Sequence, residues 1–255
     1  MVDVRTSPVV PDKARLIRSL MGSETNAPYP ASITKAGGGG KFSPHGDTLF
    51  HPGNTFICHI DRDSAFFSGL VSYQASLMAS EFNQHFAFLR PASFHMTIFC
   101  GVSGAPLGAD GWPDGYSNGM ELNAITDQFA GQLAAWKGPN SFVVACDGIQ
   151  KPTTIAMKPA SSSDADALWD ARRRLQSLTG LRRPDFAEYK FHVSLAYQIG
   201  WLTAGEAEHL VDLSNCLFER HLSRVGAIPL GPIEFCQFDT MQQFNPIMRL
   251  SNKPG

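Results

Sequence analysis

The sequence predicts a mixed α/β (α+β) fold, and three observations support this prediction. Segments with apolar residues at helical spacing alternate with short segments rich in β-branched and aromatic residues. Two of the strand-like segments flank Pro152 closely enough to form an antiparallel hairpin. The chain has 255 residues, of which 43% are hydrophobic and 17% charged, so it can bury a full core.

The helices are predicted from caps and apolar stripes, and the strands from apolar composition. Asp63 is a candidate N-cap, Ser163 with Asp166 and Thr203 with Glu206 fit capping boxes, and Gly180 is typical of a helix end. The predicted helices cover residues 12–20, about 63–78, 120–136, 163–180 and 203–217. The predicted strands cover residues 54–60, 94–102, 142–149, 154–159, 191–199, 233–240 and 244–250.

The domain organisation is predicted as an N-terminal extension, partly loop, over residues 1–50, and one domain over residues 51–255. A glycine run at residues 37–40 invites comparison with a phosphate-binding loop. The pattern does not fit, because Lys35 occupies the position of the first glycine and Phe42 follows Lys41 where Ser or Thr is required. A flexible linker is the preferred interpretation of this run.

Composition limits the partners and the compartment. The net charge of −2 and the isoelectric point near 6.4 provide no global basic field for an extended nucleic-acid surface or an acidic membrane. The N-terminal sequence lacks the apolar stretch of a signal peptide, and no apolar run is long enough for a membrane helix. The five cysteines form no C-x-x-C motif, and a cytoplasmic protein with reduced thiols is expected. Four of them lie in apolar segments and are predicted as core residues: Cys58, Cys100, Cys146 and Cys236.

One short segment occurs twice, and its histidine and hydroxyl residues are the candidate functional residues. Residues 94–98 (FHMTI) match residues 191–195 (FHVSL) as Phe, His, apolar, hydroxyl, apolar. Because side chains alternate between the two faces of a strand, His95 shares a face with Thr97, and His192 shares a face with Ser194. If the two copies face one another, they form a set of two imidazoles and two hydroxyls.

Such a set is suited to phosphodiester chemistry. An imidazole with a pKa near 6.5 can take a proton from a nucleophile or give one to a leaving oxygen near neutral pH. Hydroxyl groups can donate hydrogen bonds to the non-bridging phosphate oxygens, which gain charge in the transition state. This chemistry requires no metal and no cofactor.

The paired H-x-[T/S] strands resemble the two-histidine phosphoesterase superfamily. This superfamily includes bacterial RNA 2′,3′-cyclic phosphodiesterases of the ligase-like type, plant cyclic nucleotide phosphodiesterases and AMP-binding anchoring proteins. The resemblance spans roughly residues 54–250, and it is closest to a poorly characterised bacterial branch. It implies a bilobed fold, in which two pseudo-symmetric β/α lobes with antiparallel sheets flank a central groove.

The resemblance also implies roles for residues. His95 and His192 would be the catalytic pair, and Thr97 and Ser194 would bind phosphate. The expected activity is hydrolysis or transesterification of a 2′,3′-cyclic phosphate or a related phosphodiester, on a small nucleotide or an RNA end. The sequence leaves open which histidine is the acid. A non-catalytic nucleotide- or phosphate-binding sensor on the same fold is the alternative.

For the other polar residues near the motifs, positions in the fold are predicted rather than catalytic roles. His59 ends a strand and is more simply explained as partly exposed than as part of the groove. Tyr197 is predicted as a core residue, because it is out of phase with His192 in a regular strand. Gln198 is in phase with His192 and could line the groove. The three arginines at residues 172–174 lie away from the apolar stripe of their helix and are predicted as an exposed face.

Overall fold

The computed structural model describes residues 12–30, 33, 40–108 and 111–251. The glycine run predicted as a linker lies, except for Gly40, outside the described residues. The described residues form five α-helices: α1 (Lys13–Met21), α2 (Ala65–Met78), α3 (Leu122–Leu133), α4 (Ser162–Thr179) and α5 (Ala204–His221). They also form ten strands: β1 (Gly53–His59), β2 (Phe86–Phe88), β3 (His95–Ser103), β4 (Phe142–Lys151), β5 (Thr154–Pro159), β6 (His192–Ser194), β7 (Ala196–Gln198), β8 (Ile228–Leu230), β9 (Glu234–Thr240) and β10 (Gln243–Arg249).

The main sheet consists of two four-stranded halves. Its order is β10-β9-β1-β3-β6-β5-β4-β8, and all its pairs are antiparallel. The first half (β10, β9, β1, β3) holds one copy of the repeated segment, and the second half (β6, β5, β4, β8) holds the other. The halves meet where Met96 of β3 pairs with Val193 of β6. The predicted mixed α/β, bilobed architecture is confirmed.

Helix caps show where local sequence decided the boundaries. The predicted capping box of Thr203 and Glu206 is confirmed, since each residue bonds the backbone of the other. The first turn of α4 begins two residues earlier than predicted: Ser161 is the N-cap, and its hydroxyl accepts from the Asp164 N–H at 3.1 Å. Helix α2 is capped by Ser64 rather than Asp63. In both helices the predicted N-cap is a polar residue one or two positions from the observed one, and the existence of each helix is predicted correctly.

The predicted strand at residues 191–199 is wrong as a single strand. It divides at Leu195 into β6 and β7, and β7 pairs with β2 in a separate two-stranded sheet. The Leu195 N–H donates to the Thr153 carbonyl at 2.8 Å, and the Leu195 carbonyl accepts from the Leu89 N–H at 2.9 Å. The Gln74 amide donates to the same carbonyl. These bonds hold the chain as it passes from one sheet to the other.

Part of the segment predicted as an extension packs against the domain. Helix α1 lies on α5, with Leu16 and Leu20 buried and Lys13 paired with Asp212 at 2.7 Å. The Gln198 amide donates to the Leu20 carbonyl at 2.7 Å, which explains this residue without a role in the groove. The division between residues 1–50 and 51–255 stays a prediction.

The structure tests the predicted burial of the cysteines and the expected absence of a membrane helix. All five cysteines are free; Cys58 and Cys236 are buried as predicted. Cys100 is exposed, so its assignment to the core is wrong, because it lies at a position of β3 that faces a cavity. Within the described ranges, no helix has both the length and the apolar character that crossing a membrane requires.

Candidate functional site

The two copies of the repeated segment lie side by side at the centre of the main sheet. Because Met96 pairs with Val193 in an antiparallel register, His95 faces Ser194 and Thr97 faces His192. Each imidazole is therefore next to the hydroxyl of the other copy. The histidines are diagonal neighbours, with an expected Cβ–Cβ distance of about 7 Å.

The four side chains share one face of the sheet. Along β3 the residues at 95 and 97 are partly exposed and those at 96 and 98 are buried, and β6 repeats this alternation. Among the described residues, the Ser194 hydroxyl has no hydrogen-bond partner, and the Thr97 hydroxyl has the Tyr189 hydroxyl as a neighbour. The Ser194 hydroxyl can therefore donate to a ligand above the sheet, and the Thr97 hydroxyl can do so by turning from Tyr189.

Both imidazoles are held by the same backbone interaction. The Nδ1 atom of His95 lies 2.7 Å from the Ser93 carbonyl oxygen, and that of His192 lies 2.8 Å from the Lys190 carbonyl oxygen. A carbonyl only accepts hydrogen bonds, so each Nδ1 must carry the proton and donate it. In the neutral ring the lone pair is then on Nε2, the atom left for proton transfer.

Burial lowers the pKa of both histidines. Desolvation is the main cause at His95, whose pKa falls to about 4, against the raising effect of the hydrogen bond to Ser93. Desolvation also lowers the pKa of His192, and the positive charges of Lys151 and Lys41 contribute. Both imidazoles are therefore neutral in the free protein near pH 7.

The four groups line a cavity of about 410 Å³. Lys41 lies on its wall with its Nζ 5.0 Å from the centre of the Tyr197 ring, and it provides a positive charge. Tyr197 lines this cavity too, so its prediction as a core residue is wrong. The prediction assumed a regular strand, and the break at Leu195 changes the face on which the ring lies.

Tyr189 also lines this cavity, although no pattern in the sequence indicates it. Its hydroxyl donates to the Thr97 carbonyl at 3.3 Å, and its ring centre lies 6.2 Å from that of His192. Tyr189 precedes His192 by three residues, whereas Ala92 occupies the equivalent position before His95. The repeat itself therefore carried no signal for this residue.

His59 belongs to the surroundings of His95 rather than to the cavity between the two motifs. It pairs with His95 across the β1–β3 ladder, with ring centres 6.3 Å apart. Its Nδ1 contacts the Glu234 carboxylate, which also accepts from Arg249 Nε at 3.0 Å. Phe244 covers His95 from β10, with ring centres 4.3 Å apart.

The described residues include one group of side chains close enough to share a metal ion, formed by His59, Glu234 and Cys236. This group does not contain His95 or His192. Glu234 already interacts with His59 and Arg249, and burial raises the pKa of the Cys236 thiol, so its protonated form is favoured. These contacts disfavour the thiolate and free carboxylate that a cation would need.

Arg172 is buried, so the prediction of an exposed arginine face is wrong for this residue. Only 1% of it is exposed, and its guanidinium donates to the Ile98 carbonyl at 2.6 Å. The Tyr189 ring centre lies 4.0 Å from the guanidinium carbon, within cation–π distance. Helical periodicity alone did not indicate this position, because the surrounding rings come from distant segments. Arg173 and Arg174 are exposed as predicted.

Part of the chain that contains the first motif matches a known protein family. Residues 41–155 match the model of a family described as 2H-phosphodiest, domain of unknown function (DUF1868). Over this segment, the resemblance to the two-histidine phosphoesterases is confirmed. The matched segment contains His95 and Thr97 and ends before His192.

A solved structure shows the same fold over nearly the whole chain. It is the crystal structure of a conserved protein of unknown function from Agrobacterium tumefaciens, with a TM-score of 0.84 and 24% sequence identity. The match covers 92% of this chain and 98% of that one. No curated protein matches the chain. The family match supports a phosphoesterase-type function, and the structural match supports the fold.

Proposed function

We propose that this protein cleaves a phosphodiester, a 2′,3′-cyclic phosphate on a nucleotide or an RNA end, with His95 and His192 as its acid–base pair. The observation that carries the proposal is the crossed arrangement on β3 and β6. It supplies two imidazoles with fixed tautomers and two adjacent hydroxyl donors on one face of a cavity. No metal takes part in the proposed step.

In the proposed hydrolysis, Nε2 of one neutral imidazole takes a proton from water as the water oxygen bonds to phosphorus. The bond from phosphorus to one ribose oxygen breaks, and the other imidazole, protonated on Nε2, gives its proton to that oxygen. Thr97 and Ser194 donate to the non-bridging oxygens. Transesterification follows the same scheme with a hydroxyl in place of water.

A nucleotide- or phosphate-binding sensor is the second candidate, and the pKa values give it specific support. Burial lowers the pKa of both histidines, so in the free protein near pH 7 the protonated imidazole that the acid role needs is the minor form. For the protein to act as an enzyme, the bound phosphate anion must favour protonation of one imidazole. A sensor would need only the hydroxyl donors and the nearby cation Lys41.

The test is turnover of 2′,3′-cyclic nucleotides and of oligoribonucleotides that end in a cyclic phosphate, measured with EDTA present. Wild type, His95→Ala, His192→Ala and the control His209→Ala are compared; His209 is an exposed histidine on α5. We expect each motif variant to lose at least about 10²-fold in kcat and the control to keep its activity. Full activity in either motif variant would refute the proposed pair.

The hydroxyl donors give an independent measurement on the same substrates. Thr97→Val and Ser194→Ala each remove one donor to a non-bridging oxygen, and we expect a loss on the order of 10²-fold in kcat. Tight binding of nucleoside 3′-phosphates by a wild-type protein that turns over no member of the panel would favour the sensor.

A further inference from the structure

A second cavity, of about 700 Å³, opens beside the first. It lies between α1, the β4–β5 hairpin and α4, and residues 189–191 form its side nearest the two-histidine site. Leu16, Ile149 and Met157 contribute apolar surface to its wall. Helix α1 therefore forms one wall of this cavity.

Positive charges without a carboxylate partner surround this cavity. Arg15, Lys151 and Lys190 line it, all three are exposed, and none forms an ion pair with a described residue. The acidic residues of the wall are already engaged. Asp147 pairs with Lys158 at 2.8 Å, and the Asp12 carboxylate accepts from the first turn of α1. The unbalanced charge favours an anionic ligand.

The wall also carries groups that recognise a planar base. Trp169 and Tyr189 line the cavity; Arg172 lies over one face of each ring, and the parts that line the cavity are aromatic surface of the kind on which bases stack. Gln150 lines it as well, and its Oε1 is buried without a hydrogen-bond partner among the described residues. An unpaired buried acceptor is costly, and the amino group of a base is a suitable donor for it.

The second cavity is adjacent to the two-histidine site and shares one wall residue with it. Tyr189 lines both cavities, and its ring lies 6.2 Å from that of His192. The Lys190 carbonyl accepts the hydrogen bond that orients His192, and Lys151 lies close enough to act on that imidazole electrostatically. Tyr189 and the Lys190 backbone therefore lie between the second cavity and His192.

We propose that the second cavity binds the nucleotide on the 5′ side of the terminal cyclic phosphate, so that the substrate is the end of an RNA chain. The first cavity would take the terminal nucleotide and its phosphate. In the second, the cations would bind the linking phosphodiester, the aromatic rings would stack on the next base, and Gln150 would accept from a base amino group. This inference rests on the proposed function for the position of the cyclic phosphate.

Binding of product-like ligands tests the inference without turnover. The affinity of adenosine 3′-phosphate is compared with that of the dinucleotide ApA carrying a 3′-phosphate, by titration calorimetry with the full chain. We expect the dinucleotide to bind about 5- to 150-fold more tightly, which corresponds to one stacked base. Arg15→Ala and Gln150→Ala should each reduce this ratio. Arg18→Ala is the matched control, since Arg18 lies on the same helix outside the cavity.

The outcomes separate this inference from the proposed function. Equal affinities for the two ligands, or a ratio that Arg15→Ala and Gln150→Ala leave unchanged, would overturn the nucleotide site. A raised ratio that depends on both residues supports it, even if no cyclic phosphate is turned over, which would refute catalysis alone. Turnover of cyclic mononucleotides as fast as of RNA ends, together with equal affinities, would keep the proposed function and remove this site.

Discussion

Removing the Phe244 ring is expected to raise the pKa of His95. Phe244 lies on β10, is 9% exposed, and places its ring centre 4.3 Å from that of His95. Burial is the main cause of the lowered pKa of His95, and this ring is part of what keeps water away. Phe244→Ala admits water to that side and makes the protonated imidazole less costly.

The size of the effect is bounded by the ordinary value of a histidine. Burial moves the pKa of His95 from 6.5 to about 4, so complete hydration would return it to 6.5. Since the ring covers one side only, we expect a rise of about one unit in Phe244→Ala. At pH 5 the neutral fraction of His95 would fall from about 90% to about 50%.

The assay is a heteronuclear NMR titration of the imidazole signals, with His95→Gln used to assign the resonance. Phe142→Ala is the control, because Phe142 is 1% exposed and lies on β4, away from β3 in the sheet. Each truncation is expected to cost about 3–5 kcal/mol of stability, so the two variants are matched in that respect.

Two results would contradict the reasoning. His95 titrating near 6.5 in the wild type would mean that it is hydrated, so its burial would not set its protonation. Equal shifts in Phe244→Ala and Phe142→Ala would attribute the change to general loosening of the fold rather than to the covering ring.

Three further predictions follow from the same contacts. Because the pKa of folded His95 is below its unfolded value, the unfolded chain binds more protons between about pH 4 and 6.5; stability should fall as pH falls through that window, and His95→Gln should reduce the slope in urea unfolding. Arg172→Ala should cost about 3 kcal/mol or more in the same assay, since it leaves the Ile98 carbonyl unpaired, whereas the exposed Arg173→Ala should change stability by less than about 0.5 kcal/mol. On a nucleoside 3′-(p-nitrophenyl phosphate), whose leaving group needs no acid, His192→Ala should retain at least about 10-fold more activity than His95→Ala, and equal losses would refute a base role for His95.

The sequence predicted the fold best where one local pattern decided the structure. The helices at α4 and α5 carry capping residues and apolar stripes within a few residues of one another, so their existence did not depend on distant contacts. The short strands β2 and β8 were missed. Each has three residues and pairs with a partner far along the chain, so its own composition contains little information.

The candidate site was predictable only in its repeated part. His95, Thr97, His192 and Ser194 stand out because two strand patterns match, and the structure brings all four to one cavity. The other site residues depend on the tertiary structure. Tyr197 reaches the cavity because β6 and β7 are separate strands. Tyr189 and Phe244 reach it from elements whose positions no local pattern specifies, and Arg172 packs against the Tyr189 ring from within the core.

The surroundings of the two motifs differ although their backbones are alike, and this difference would allow the opposite proton-transfer roles that we propose. Each imidazole donates from Nδ1 to the carbonyl two residues earlier, so backbone geometry alone would give two equivalent groups. Phe244 and His59 lie against His95, whose lowered pKa of about 4 keeps it neutral and available as a base. His192 instead faces Tyr189; burial is the main cause of its lowered pKa in the free protein, and the positive charges of nearby lysines add to it. An anionic phosphate between the motifs would offset those charges and favour a proton on His192, so substrate binding itself would complete the acid–base pair.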